Sequence, residues 1–192
     1  MTSTVFHAFT RSLGAVAAAA LLGACGYDAP QSPTASVASA DIEAARPVDL
    51  SGCDDLRAPA QSELVLRSPA TGVQTYRWTG ASWQFVAPTA TLYADDARTI
   101  VIGDHFGGPT WRSLDGSTVV GTVAARCTPD ASAIPTLLLT AVSGATPGAL
   151  AKITYIQRLS TVGGLAPSAP GSVVGELAAV PYTAVYFFYR DR

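Results

Sequence analysis

The chain has 192 residues, 12 of them basic and 14 acidic, for a formal net charge of −2. A chain so weakly acidic lacks the positive surface that neutralising nucleic-acid phosphates requires, so nucleic acid and nucleotides are excluded as expected partners. Eleven of the twelve basic residues are arginine and only Lys152 is lysine, a bias that makes any single arginine weak evidence for phosphate recognition.

The first segment reads as a secretory leader. Arg11 is its positive flank, Leu13 to Ala24 its apolar stretch, and Gly23 and Ala24 are small residues before a cut. The stretch is too short to cross about 30 Å of hydrocarbon as a helix. Leu22-Gly23-Ala24-Cys25 resembles the lipobox of bacterial lipoproteins, in which the cysteine thiol is acylated. The resemblance implies a signal peptide over residues 1–24 and a lipid anchor at Cys25. The next residue is Gly26 rather than an aspartate, which by the same resemblance directs the protein to the outer membrane. From there to residue 48 the chain is rich in Ala, Ser and Pro and nearly free of large apolar residues, so it is expected to form a disordered tether. Pro30, Pro33 and Pro47 favour extended geometry at about 3.1 Å per residue, enough to hold a domain away from a membrane.

Residues 49–192 are expected to form one domain, with enough aliphatic and aromatic residues for a core. With Cys25 taken by lipid, Cys53 and Cys127 are the remaining thiols, and in an oxidising compartment they are expected to pair. The bridge would close a loop of about 75 residues, worth roughly 4 kcal/mol from loop-closure entropy. No CxxC occurs, and His105 is the only histidine after the leader, so no metal site and no cofactor is expected.

Short runs rich in branched and aromatic residues then alternate with Gly, Pro, Asp and Ser. Strands are predicted over 63–67, 73–79, 82–87, 89–94, 99–106 and 117–127, then over 136–142, 150–161 and 182–189. Thr79-Gly80-Ala81 and Asp115-Gly116 read as hairpin turns. About nine antiparallel strands without a sustained helical period predict an all-β domain, a sandwich or a small barrel. Period-two counting puts Val119, Gly121, Val123, Ala125 and Cys127 on one face, so Cys127 is expected to point inward. The last strand is aromatic on both faces, which predicts a strand covered on both sides. A membrane-spanning barrel is not expected, because regular apolar bands of about ten residues are missing and Pro and Gly interrupt many runs.

The run His105-Phe106-Gly107-Gly108-Pro109-Thr110-Trp111 is followed by Asp115-Gly116-Ser117-Thr118-Val119-Val120-Gly121 and by Ile134-Pro135 before Leu137-Leu138-Leu139. Tyr155-Ile156-Gln157-Arg158 and Thr161-Val162-Gly163-Gly164 come later. Together these motifs resemble the secreted bacterial and fungal family known as domain of unknown function 3455, over about residues 50 to 189. The resemblance implies a β-rich domain with no established activity. Relatives commonly have cysteines where Trp78 stands and near Ala169 and Pro170, and both are absent here. Their joint loss suggests that the disulfide has moved to Cys53 and Cys127. Thr136 replaces the tryptophan usual after Ile-Pro. Some fungal relatives carry a dehydrogenase label, but Gly103-Asp104-His105-Phe106-Gly107-Gly108 is not GxGxxG and no βαβ unit surrounds it.

Two functional readings follow. A Ser-His-Asp hydrolase would need His105 within reach of Ser113 or Ser117, with Asp115 orienting the ring, and no GxSxG elbow occurs. Alternatively, Trp111, Trp83, Trp78 and Tyr76, with Gln74, Arg112, Asp115 and His105 nearby, are the residue types that stack on sugar rings and bond their hydroxyls. The leading expectation is a non-enzymatic cell-envelope module that binds a glycan or a protein partner, its tryptophan faces exposed.

Overall fold

The computed structural model describes residues 48–192. The leader, Cys25 and all of the tether but residue 48 lie outside the described residues. Eight antiparallel strands form one sheet: β1 (Ser62–Trp78), β2 (Trp83–Tyr93), β3 (Val101–Phe106), β4 (Thr110–Ser113), β5 (Thr118–Cys127), β6 (Thr136–Ser143), β7 (Tyr155–Gly163) and β8 (Leu177–Asp191). Each strand pairs with its sequence neighbour, and β8 returns to pair with β1, so the sheet closes into an up-and-down barrel. Closure leaves no long unpaired edge to template aggregation.

The fold is all-β, as the sequence predicts, with eight strands where about nine are expected. Predicted strands 63–67 and 73–79 are one strand, β1, which runs through Pro69 and Gly72. Strands 82–87 and 89–94 are likewise one, β2, running through Pro88. Strand β4 has four residues and is missing from the expectation. Gly72 is a close-approach position: a Cβ there would collide with the backbone of Thr89 and Ala90. The two expected hairpin turns form, with Gly80 at φ +96° and Gly116 at φ +85°, where a side chain is strained.

The interior is built from alternate residues. Strand β8 sends Tyr182, Ala184, Tyr186 and Phe188 inward, where they meet Trp111, Leu139 and Ile156. The 144–154 loop plugs one end by burying Leu150 and Ile153. Asp115 and Ser117 fasten this plug to the β4–β5 turn. Ser117 Oγ donates to Asp115 Oδ1 at 2.6 Å and accepts the Leu150 N–H at 3.0 Å, while Asp115 Oδ2 accepts the Ala149 N–H at 2.7 Å.

A second apolar cluster lies on the outside of the wall. Leu50, Cys53 and Leu56, from the segment leading into a short 3-10 turn (Asp54–Leu56), pack on Leu138 and Leu159 with Phe187 and Tyr155 alongside. Gln157 links turn to wall: its amide donates to the Leu56 carbonyl and its Oε1 accepts the Tyr189 hydroxyl at 2.7 Å. This cover explains why β8 is aromatic on both faces. Cys53 and Cys127 are joined in a disulfide inside the same cluster.

Cys127 therefore faces outward, not inward. A bulge between Val123 and Ala125 shifts the register of β5 by one residue, so that Ala125 and Cys127 join the outer cluster and Arg126 turns to the interior. Elsewhere the outer wall carries ion pairs, Arg67 with Asp96 and Arg112 with Asp104. Such exposed pairs add at most about 1 kcal/mol each.

Candidate functional site

The end of the barrel opposite the plug opens into a cavity of about 390 Å³. Its mouth is framed by the β3–β4 turn at Gly107, Gly108 and Pro109, by Ile134 and Pro135 before β6, and by Phe85 and Val86 of β2. Deeper in, Gln74 and Tyr76 of β1, His105 of β3 and Trp111 of β4 meet Arg158 of β7 and Tyr186 of β8.

Trp111 and His105 are directly opposite each other across the β3–β4 pairing and stack with ring centroids 4.3 Å apart. Both meet the edge of Tyr186, at 5.4 and 5.3 Å. Gly121 makes room for the indole, since a Cβ there would stand 3.0 Å from its Cζ3 and 2.9 Å from Leu139 Cδ2. His105 Nδ1 lies 2.9 Å from the Thr110 carbonyl, which can only accept, so Nδ1 carries the proton and Nε2 is the bare nitrogen. Burial drives the imidazole pKa down to about 4; the Arg158 charge pushes the same way, and the Thr110 hydrogen bond and Asp104 oppose. Burial also lifts the Tyr186 phenol well above its usual range, with the Arg158 charge opposing. His105 and Tyr186 are thus both neutral at pH 7.

A stability prediction follows from this ring. As pH falls, the unfolded chain protonates its histidine near 6.5 and the folded chain only near 4, so the unfolded state binds more protons between those values. His105 therefore contributes stability that is whole above about pH 6.5 and is lost toward pH 4, by roughly 3 kcal/mol at most. Chemical denaturation at pH 7.5 and 4.5 checks this. The wild type should weaken more than His105→Gln over that interval, and equal losses would refute it.

The expected site residues divide. Tyr76, His105 and Trp111 come together in the cavity wall, but all three are buried rather than presented to solvent. Tyr76 donates its hydroxyl to the Gly164 carbonyl at 2.6 Å. Arg112 is on the outer wall, paired with Asp104 and lying over the Phe106 ring, because its neighbour Trp111 takes the inward position in β4. Asp115 belongs to the β4–β5 turn at the plugged end, where its bonds to Ser117 and Ala149 hold its pKa down to about 2. The hydrolase constellation is not assembled. His105 sits two residues before the β3–β4 turn at the open end and Asp115 in the next turn along, at the other end, and no described hydrogen bond joins His105 to Asp115 or to a serine.

Trp78 and Trp83 are half-buried and flank the β1–β2 hairpin, 5.4 Å apart. Trp83 Nε1 donates to the Ala169 carbonyl at 2.9 Å, and Trp78 packs so closely on Gly171 that a Cβ there would lie 2.6 Å from its ring. Aromatic packing thus ties the hairpin to the 164–176 loop at the positions where relatives were expected to carry cysteines. These rings serve the rim and do not form an open platform.

Arg158, not among the expected site residues, also lines the cavity. Its Nη2 donates to the Pro135 carbonyl at 2.7 Å, while its Nε is buried with no partner. Gln74 Nε2 and Trp111 Nε1 are also buried and unpaired, and both residues line the cavity. An inward charge could have been found from the alternation of Ile156 and Arg158 in β7, had arginine not been so frequent in this chain.

No curated protein and no solved structure matches the chain. Residues 59–190, from just before β1 to the penultimate residue of β8, match the family described as protein of unknown function (DUF3455). This span holds all of the barrel but the last residue of β8, and every cavity residue, and the chain belongs to that family.

Proposed function

We propose that this domain is a non-enzymatic binding module that takes a small molecule into the open end of its barrel. What carries the reading is the cavity itself: about 390 Å³, within the range of roughly 300–1,000 Å³ usual for ligand sites, with largely apolar walls and a few residues among its lining that carry buried, unpaired polar atoms. The ligand is thereby moved from an exterior tryptophan platform to the interior, since Trp111 is buried and Trp78 and Trp83 are engaged by the 164–176 loop. A glycan fragment or the tip of a protein partner would enter by the same mouth.

A thermal-shift screen of small metabolites checks the reading. Val86 stands at the mouth and is 45% exposed, so Val86→Trp narrows the entrance without overpacking the core. Ligands that raise the wild-type Tm should leave V86W unmoved. Equal shifts in both proteins would place the ligand elsewhere and refute the interior site.

The same proposal sets the module in the cell envelope, with residues 1–24 removed, Cys25 acylated, 25–48 as tether and 49–192 displayed from the outer membrane. The support is the Leu22-Gly23-Ala24-Cys25 pattern. Cys25→Ser expressed in a bacterial host should shift the protein from the membrane fraction to the soluble fraction. Unchanged membrane retention would exclude the anchor.

A further inference from the structure

Four buried side-chain polar atoms among the described residues lack a hydrogen-bond partner, and three of them belong to residues lining one cavity: Gln74 Nε2, Trp111 Nε1 and Arg158 Nε. Leaving a buried donor unpaired costs about 1–3 kcal/mol, more for a charged group, so three together in one place call for a common explanation. All three are donors. Indole and guanidinium nitrogens cannot accept, and an amide nitrogen does not. A partner that brings acceptors would satisfy them.

The charge of the lining points the same way. Although the chain is acidic overall, with 14 acidic against 12 basic residues, the cavity is lined by two arginines and no carboxylate. Arg158 lies within, half-buried, and Arg126 stands exposed at the mouth where the β5 bulge turns it. The histidine beside them is neutral, because its Nδ1 proton is engaged by Thr110 and burial resists a second one. A guanidinium in a low-dielectric pocket with no counter-charge favours an anion, and a second arginine at the entrance steers one inward. The rest of the wall is apolar, with Phe85, Val86 and Pro88 on one side and Leu137 and Leu139 on the other.

We infer that the cavity binds a small organic acid, its carboxylate received by Arg158 with the Trp111 and Gln74 N–H groups and its apolar body lying against Phe85, Leu137 and Leu139. The inference rests on reading the cavity as a ligand site, and it names the ligand's class. A single half-buried guanidinium matches a monoanion. The planar fork of arginine suits a carboxylate, and the modest volume suits an aryl or medium-chain acid.

The test is calorimetric titration of the full chain carrying Cys25→Ser, which keeps it free of lipid, with 3-phenylpropionate, its neutral counterpart 3-phenyl-1-propanol, and inorganic phosphate. The acid should bind about 10- to 100-fold tighter than the alcohol, the span expected for a charge-assisted hydrogen bond. Phosphate, with no apolar body, should bind more weakly than the acid by a similar factor. Arg158→Met, close in volume and tolerated when a buried charge is replaced by an apolar side chain, should bind acid and alcohol alike. Arg158→Lys keeps the charge without the fork and should fall between, so the result does not depend on one variant folding. Acid and alcohol binding alike to the wild type would overturn the acid preference while leaving the ligand site in place. Phosphate binding as tightly as the acid would overturn the apolar body. If no probe bound at all, the inference and the reading of the cavity would fall together.

Discussion

Replacing Cys53 and Cys127 together by serine is expected to lower the free energy of unfolding by about 4 kcal/mol, much of the 5–15 kcal/mol that a domain of this size commands. The bond spans 74 positions in sequence and joins the segment before β1 to the end of β5, so its loss frees a long loop in the unfolded chain. The folded state changes in a defined place. Leu50 and Leu56 cover the outer faces of β6 and β7, and without the bond they are held mainly by that burial and by the Gln157 amide on the Leu56 carbonyl. Denaturant unfolding of the oxidised protein and the double variant measures the difference, and hydrogen exchange locates it. Faster exchange should appear at residues 50–57 with the cavity unaffected. A loss under about 1 kcal/mol would mean that the cover is fixed by packing alone.

Trp111→Ala is expected to cost about 3–5 kcal/mol, the range for removing a fully buried aromatic. Trp111 is 1% exposed and touches His105, Tyr186 and Phe188, with Gly121 and Leu139 closing around its benzo edge. The void would merge with the ligand cavity and leave His105 without its stacking partner. Trp111→Phe should cost far less, since it keeps a ring in place and removes an indole N–H that has no protein partner. The pair separates two roles. A tryptophan serving an exterior platform could be truncated within about 0.5 kcal/mol, as other surface positions can. A loss that small in W111A would contradict the buried stack.

The β class, both hairpin turns, the disulfide and the doubly covered last strand follow from local pattern and are legible in the chain. Strand continuity is not. Proline and glycine read as breaks at Pro69, Gly72 and Pro88, yet each stands inside a paired strand, where a neighbouring strand fixes the backbone that local propensity would not. The four residues of β4 are too few for any period to register. The bulge in β5 is invisible to alternation, and it sets both the outward turn of Cys127 and the inward turn of Arg126. At the site, the His105 to Trp111 segment is rightly singled out by its residue types. Its use differs because β3 and β4 pair those two side chains inside the barrel, while their neighbours Asp104 and Arg112 pair outside. Arg158 acquires its meaning only when closure sets it facing an apolar wall without an anion.

The most direct check on the interior site is the set of tryptophan indole N–H signals in a proton–nitrogen correlation spectrum of uniformly labelled protein, recorded while 3-phenylpropionate is added. The chain has three tryptophans, and their indole signals can be assigned by single Trp→Phe replacements. The Trp83 N–H is already bonded to the Ala169 carbonyl and Trp78 lies at the rim, whereas Trp111 lines the cavity and its N–H has no partner. The predicted result is a saturable downfield shift of the Trp111 signal alone. Movement confined to Trp78 or Trp83, or none at any concentration, would contradict a ligand site inside the barrel.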